Sequence, residues 1–167
     1  NFIDLDSTAS AHYLLAKPFV ALADYSISFY VYFSGDRIRV WGNTSNFQGR
    51  LTISDNGSIN WRVSDNLSDV GVDAPLGSVP VNKLSFIKVV RTGSIGDIIV
   101  NGSNVFTGTV YTDTITIAGI GIQSGLTDGG LISRPSFIDL TTPANSEYYR
   151  LNSLTKEYEL PSNNVFG

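Results

Sequence analysis

Apolar residues recur at every second position through most of this chain, and Gly, Asn, Asp and Ser cut the runs about every eight to twelve residues. Period two in short runs predicts antiparallel strands, each with one buried face and one wet face. In YSISFYVYF (25–33), Ile27, Phe29, Val31 and Phe33 alternate with Ser26, Ser28, Tyr30 and Tyr32. RIRVW (37–41) sets Ile38 and Val40 on one face and Arg37, Arg39 and Trp41 on the other. GRLTISDNGSINWRV (49–63) reads as a hairpin, with Asp-Asn-Gly supplying the positive φ of a tight turn. After that turn Ile59, Trp61 and Val63 share a face opposite Asn60 and Arg62, which makes Trp61 a core residue. LSFIKVVR (84–91), DIIVNG (97–102), NVFTGTV (104–110), TITIAGIGI (114–122) and GLISRPSFIDL (130–140) continue the series. Residues 64–80 read as a long loop, and residues 8–23, broken at Lys17-Pro18, as a strand plus a turn. About ten or more short strands exceed what an immunoglobulin sandwich needs and predict a larger two-sheet jelly roll.

Composition narrows the classes. A length of 167 residues is that of one domain, 1–167, able to bury a core without crosslinks. There is no Cys, so neither a disulfide framework nor a zinc-thiolate site exists. The net charge is −4 and the cations are scattered, which argues against a nucleic-acid groove. No apolar run approaches the roughly 18 residues of a membrane-spanning helix, so membrane insertion is not expected. The chain starts at Asn1 and has no Met, the mark of a fragment or processed piece of a larger protein. Charged residues make up only 16%, with Ser, Thr, Asn and Gly in their place, a surface common on extracellular and virion β-proteins.

The order of the segments resembles the concanavalin A-like lectin/glucanase (laminin-G-like) superfamily. YSISFYVYF, the DNG hairpin, KLSFIKVVRTG, DIIVNG, TITIAGIG and GLISRPSFIDL follow one another as that superfamily's strands do. Tyr30 and Phe86 stand where the superfamily usually has Trp. The resemblance implies an antiparallel two-sheet sandwich and makes Asn101-Gly102 a hairpin tip, a matter of shape rather than chemistry. The tail, SEYYRLNSLTKEYELPSN, resembles the strand that closes such domains in phage tail and virion attachment proteins, although Asn152-Ser153-Leu154 replaces their Asp-Glu-Gly.

Glycoside hydrolases share this fold, and retaining ones need two carboxyl groups about 5 Å apart, carried on a central strand motif E-x-D-x-x-E. No Glu precedes Glu147, and the close pair Glu157 and Glu159 reads as solvated carboxylates on an edge strand. The lone His12 has no identifiable catalytic partner. We therefore expect no enzyme.

Sugar binding by a sandwich uses aromatic faces for C–H patches and amide or charged groups for hydroxyls. Trp41, Arg39, Arg37, Asn43, Asn60 and Arg62 form that combination on the polar face, with Tyr30 and Tyr32 as further candidates unless sheet packing buries them. The resemblance also implies Ca²⁺ as a cofactor, which Asp65, Asn66, Asp69 and Asp73 in the long loop, or Asp4 with Asp6, would hold. The expected function is a lectin-like attachment module for a cell-surface glycan or polysaccharide, on an extracellular or virion surface. Its rivals are an oligomerising spacer, for instance a homotrimer, and a protein-binding domain of laminin-G type.

Overall fold

The computed structural model describes residues 2–4, 13–21, 23–35, 37–42, 50–61, 77–110, 114–120, 130–133, 135–141, 147–148, 150–152 and 157–159. They form two sheets. The first contains β1 (Phe2–Asp4), β3 (Tyr25–Phe33), β7 (Lys83–Thr92), β8 (Ile95–Val100), β9 (Ser103–Thr109), β11 (Gly130–Ser133), β12 (Ser136–Asp139) and β13 (Glu147–Tyr148). The second contains β2 (Tyr13–Ala21), β4 (Ile38–Gly42), β5 (Leu51–Ile53), β6 (Ile59–Trp61), β10 (Ile115–Ile120), β14 (Arg150–Asn152) and β15 (Glu157–Glu159). The first runs β1-β11-β3-β7-β8-β9, with β12 on the other half of β3 and β13 outside it. The second runs β14-β15-β2-β10-β4-β5-β6. Every pairing is antiparallel except β15 with β2. This is the two-sheet antiparallel sandwich that the alternation predicts.

The pleat sorts the side chains largely as expected, although Ser26, read on the wet face, is buried. Ile27, Phe29, Val31 and Phe33 are buried on β3, while Tyr30 and Tyr32 are exposed. Inward residues of the two sheets meet in one core, where Phe19 of β2 stacks on Phe137 of β12 at 5.2 Å between centroids. Trp61 of β6, fully buried, meets Tyr25 of β3 edge-on at 6.3 Å. Gly96 on β8 leaves room for that indole, since a Cβ there would come within 2.7 Å of the ring.

Among the described residues, one charged side chain is fully buried. Arg91 of β7 is fully buried opposite Tyr25, and its Nε donates to the Ala23 carbonyl at 2.9 Å, joined by a terminal guanidinium nitrogen. Its guanidinium carbon lies 4.8 Å from the Tyr25 ring centroid, a cation–π contact. Burial pushes the Tyr25 hydroxyl above the usual phenol range, and the Arg91 charge and the Trp61 indole oppose that only in part. Next to it, Asp24 accepts from the Gly93 amide at 2.6 Å, which ties the β2–β3 connection to the β7–β8 turn.

Two expectations change. Residues 13–21 form one strand rather than a strand and a turn. Ile117 pairs with Phe19 but Gly119 with Leu14, so a bulge absorbs Lys17 and Pro18, the place where a sheet tolerates proline. Glu157 and Glu159 are not on an edge strand, because β15 runs between β14 and β2.

Asn101 and Gly102 both have positive φ, 51° and 84°, as a two-residue hairpin turn with right-handed twist demands. The Asn101 side chain also accepts from the Phe86 amide at 2.8 Å, so its role is to close the β7–β8–β9 meander. Gly57, at φ 79°, closes the β5–β6 hairpin under tighter limits, for an added Cβ would sit 2.3 Å from the Val79 carbonyl oxygen. Gly102 has open space around it. Gly102→Ala should therefore cost about 1 kcal/mol of backbone strain alone, and Gly57→Ala about 2 kcal/mol or more, in urea unfolding. Equal costs would mean that the Val79 carbonyl yields freely.

Candidate functional site

Strands β4, β5 and β6 are neighbours at one end of the second sheet. Ile38, Ile53 and Ile59 pair across them and are fully buried in the core. The next row, Arg39, Thr52 and Asn60, pairs in the same way and faces away from the core. On that face Arg37, Arg39, Arg50, Thr52, Ser54 and Asn60 line an open cavity of about 240 Å³. Arg39 (8% exposed) and Thr52 (7%) make its floor. Arg50, Ser54 and Asn60 are half-buried around them, and Arg37 is exposed at the mouth.

The walls are set locally. Asn60 Nδ2 donates to Ser54 Oγ at 3.0 Å across the hairpin, which orients the amide. Asn56 Oδ1 accepts from the Ser58 amide at 3.0 Å and stiffens the turn that joins the two walls. The Thr52 hydroxyl has no hydrogen-bond partner although it is buried in the floor. The lining thus presents guanidinium, amide and hydroxyl groups, donors above all, in a partly desolvated concavity where hydrogen bonds are stronger than in open water.

Of the residues expected to bind, Arg37, Arg39 and Asn60 come together in this cavity. Asn43 and Arg62 lie outside the described residues, as do Asp6, His12, Asp65, Asn66, Asp69 and Asp73. Among the described residues no three His, Cys, Asp or Glu side chains gather as a metal site. Trp41 is on β4, but a register shift between Arg39 and Trp41 interrupts the alternation and pairs Trp41 with Leu51. Its side chain is not among those described. Tyr30 and Tyr32 belong to the other sheet, on its exposed face, so they line a different surface from the arginines.

Arg50, Thr52 and Ser54 were missed by sequence reasoning. Their signal is the same period of two: in RLTIS (50–54) they alternate with the core residues Leu51 and Ile53.

No protein-family model matches this chain, and no curated protein does either. Solved structures do. The chain is similar to the native heptameric SAP-like pentraxin from Limulus polyphemus, at 12% identity and a TM-score of 0.57, covering 83% of this chain and 75% of that one. It is also similar to domain 4 of AbnA, a GH43 extracellular arabinanase from Geobacillus stearothermophilus, solved in complex with arabinotriose. There the identity is 16% and the TM-score 0.52, over 70% of this chain and 61% of that one. A mutant of Trypanosoma rangeli sialidase with trans-sialidase activity matches at 13% identity and a TM-score of 0.49, and this chain spans 20% of its length. At such identities the likeness to the pentraxin and the arabinanase domain is one of fold alone, that of a jelly-roll sandwich.

An unpartnered hydroxyl in a buried floor costs stability, and a methyl group in its place does not. Thr52→Val should leave the fold as stable as before or raise its unfolding free energy by about 1 kcal/mol, read as a urea midpoint at unchanged slope. A loss of that size would show instead that the hydroxyl supports the fold.

Proposed function

We propose that this chain is a non-catalytic carbohydrate-binding module, and that the cavity on β4, β5 and β6 is its site. The observation that carries this reading is a concave, donor-rich lining on the outer face of a sandwich sheet: three guanidiniums, an amide and two hydroxyls. Saccharide hydroxyls are met by such groups, and the volume suits one sugar residue rather than the roughly 300–1,000 Å³ of a drug-sized ligand. Domain 4 of the arabinanase, a relative in fold, holds arabinotriose, which favours the same class of ligand here. The lining side chains are arginine, serine, threonine and asparagine, whose guanidinium, hydroxyl and amide groups can hydrogen-bond a saccharide. Attachment of a larger protein to a glycan surface outside the cell is the role that follows.

The test is a glycan array with the wild-type domain and the Asn60→Ala variant. Specific binding by the wild type, weakened about tenfold or more in the variant, is the expected result. Binding that Asn60→Ala leaves unchanged would move the site elsewhere, and no binding at all would end the reading.

A second reading, assembly with further copies, is favoured by a different surface. Tyr30, Tyr32, Leu84 and Leu131 stand side by side on the outer face of the first sheet, each at least 37% exposed. Phe86 joins them, 5.0 Å from the Tyr30 ring. If this face joins copies of the chain, Leu84→Asp should lower the sedimentation coefficient to that of a monomer. A wild-type domain that already sediments as a monomer at high concentration removes this reading.

A further inference from the structure

Resting on the carbohydrate reading, we infer that the sugar residue held in this cavity carries a carboxylate, so that the ligand is a uronate-bearing acidic saccharide. Arg37, Arg39 and Arg50 bring three of the chain's eleven cationic residues to one concavity, on a protein whose net charge is −4. None of the six lining side chains is acidic. The lining thus carries three cationic side chains and no acidic one, a composition that favours anions over neutral sugars.

The chemistry of the lining selects among anions. A guanidinium presents a planar fork of donors that matches the two oxygens of a carboxylate, and a lysine does not. All three cations here are arginines, at graded depth from the exposed Arg37 to the nearly buried Arg39. In the floor beside Arg39, the Thr52 hydroxyl is more than nine-tenths buried and has no partner. It is a donor and acceptor already desolvated, and a ligand that turned the flanking side chains aside would complete it. Asn60, oriented by Ser54, supplies both amide functions to the ring hydroxyls beside the carboxylate. The division of labour is then charge recognition at the arginines and hydroxyl recognition at Asn60 and Thr52.

The probes are trimers of galacturonate, glucuronate and mannuronate, their carboxyl methyl esters as neutral counterparts, sulfated trisaccharides and neutral trisaccharides, all titrated calorimetrically into the domain. The proposal expects at least one uronate trimer to bind, its methyl ester to bind about tenfold or more weakly, and Arg39→Lys to weaken the acid by a similar factor. Arg37→Gln, an exposed change that leaves the interior alone, should weaken it about threefold and reduce its salt dependence. Thr52→Val should lose affinity while keeping stability, a pairing that a merely structural threonine would not give. Lys83→Gln and Lys88→Gln, on the other sheet, should change nothing.

Equal binding of acid and methyl ester would overturn the carboxylate and leave the carbohydrate reading in place. Preference for sulfated sugars over uronates would overturn it in favour of a tetrahedral anion. Losses of equal size at Lys83 or Lys88 would overturn the cavity as the site and show only diffuse attraction. Failure of every saccharide would overturn the inference together with the reading beneath it.

Discussion

The pleat of three short strands governs the site, because residues 38–40, 51–53 and 59–61 must go either to the core or to the cavity. Ile38, Ile53 and Ile59 are fully buried as one cross-strand row, and burying side chains of that size is worth about 1.5–3 kcal/mol apiece. A slip of one residue would send all of them to water and bring Arg39, Thr52 and Asn60 into the core. The cavity takes its strand geometry from the core side of the same strands, and hydrogen bonds such as that from Asn60 to Ser54 trim its walls. Its arginines are placed by isoleucines on the other side of the same backbone.

Between the sheets a second kind of constraint operates. Arg91 brings a guanidinium into the interior, a cost that the Ala23 carbonyl and the face of Tyr25 offset only because both are fixed in position. The carbonyl is held at the β2–β3 connection, where Asp24 in turn receives the Gly93 amide and Leu140 donates to the Asp24 carbonyl at 2.9 Å. The buried charge thus joins two segments far apart in sequence, and the Asp24 carbonyl ties in a third. It belongs to the architecture and lies away from the cavity.

Much of the fold was legible because it depends on local alternation. Strand β3 shows its core face in YSISFYVYF, and Trp61 shows its burial by keeping step with Ile59. Long-range pairing was less legible. The bulge that keeps Lys17-Pro18 inside β2 is imposed by β10, almost a hundred residues away, and local rules at a proline predict a break. For the site, alternation correctly joined Arg37 and Arg39 with Asn60 across a hairpin. It lost its authority at Trp41, where the ladder shifts register and strict period two no longer assigns a face. Arg50, Thr52 and Ser54 were readable by the same rule, but threonine and serine in a strand attract little notice until a structure shows them beside arginines.

All of the cavity's lining falls between residues 37 and 60, one unbroken stretch of chain, although the sandwich that supports it is closed by pairings across the whole sequence. Recognition here is thus separable from architecture, at alternate letters of a single cassette. The inward letters are under the packing demands of the core, and the outward ones are free to vary with whatever is bound. A lineage of such domains could exchange one ligand for another by drift at a few positions, with the scaffold unchanged and no new loop required. An engineer could do the same by randomising the outward letters alone.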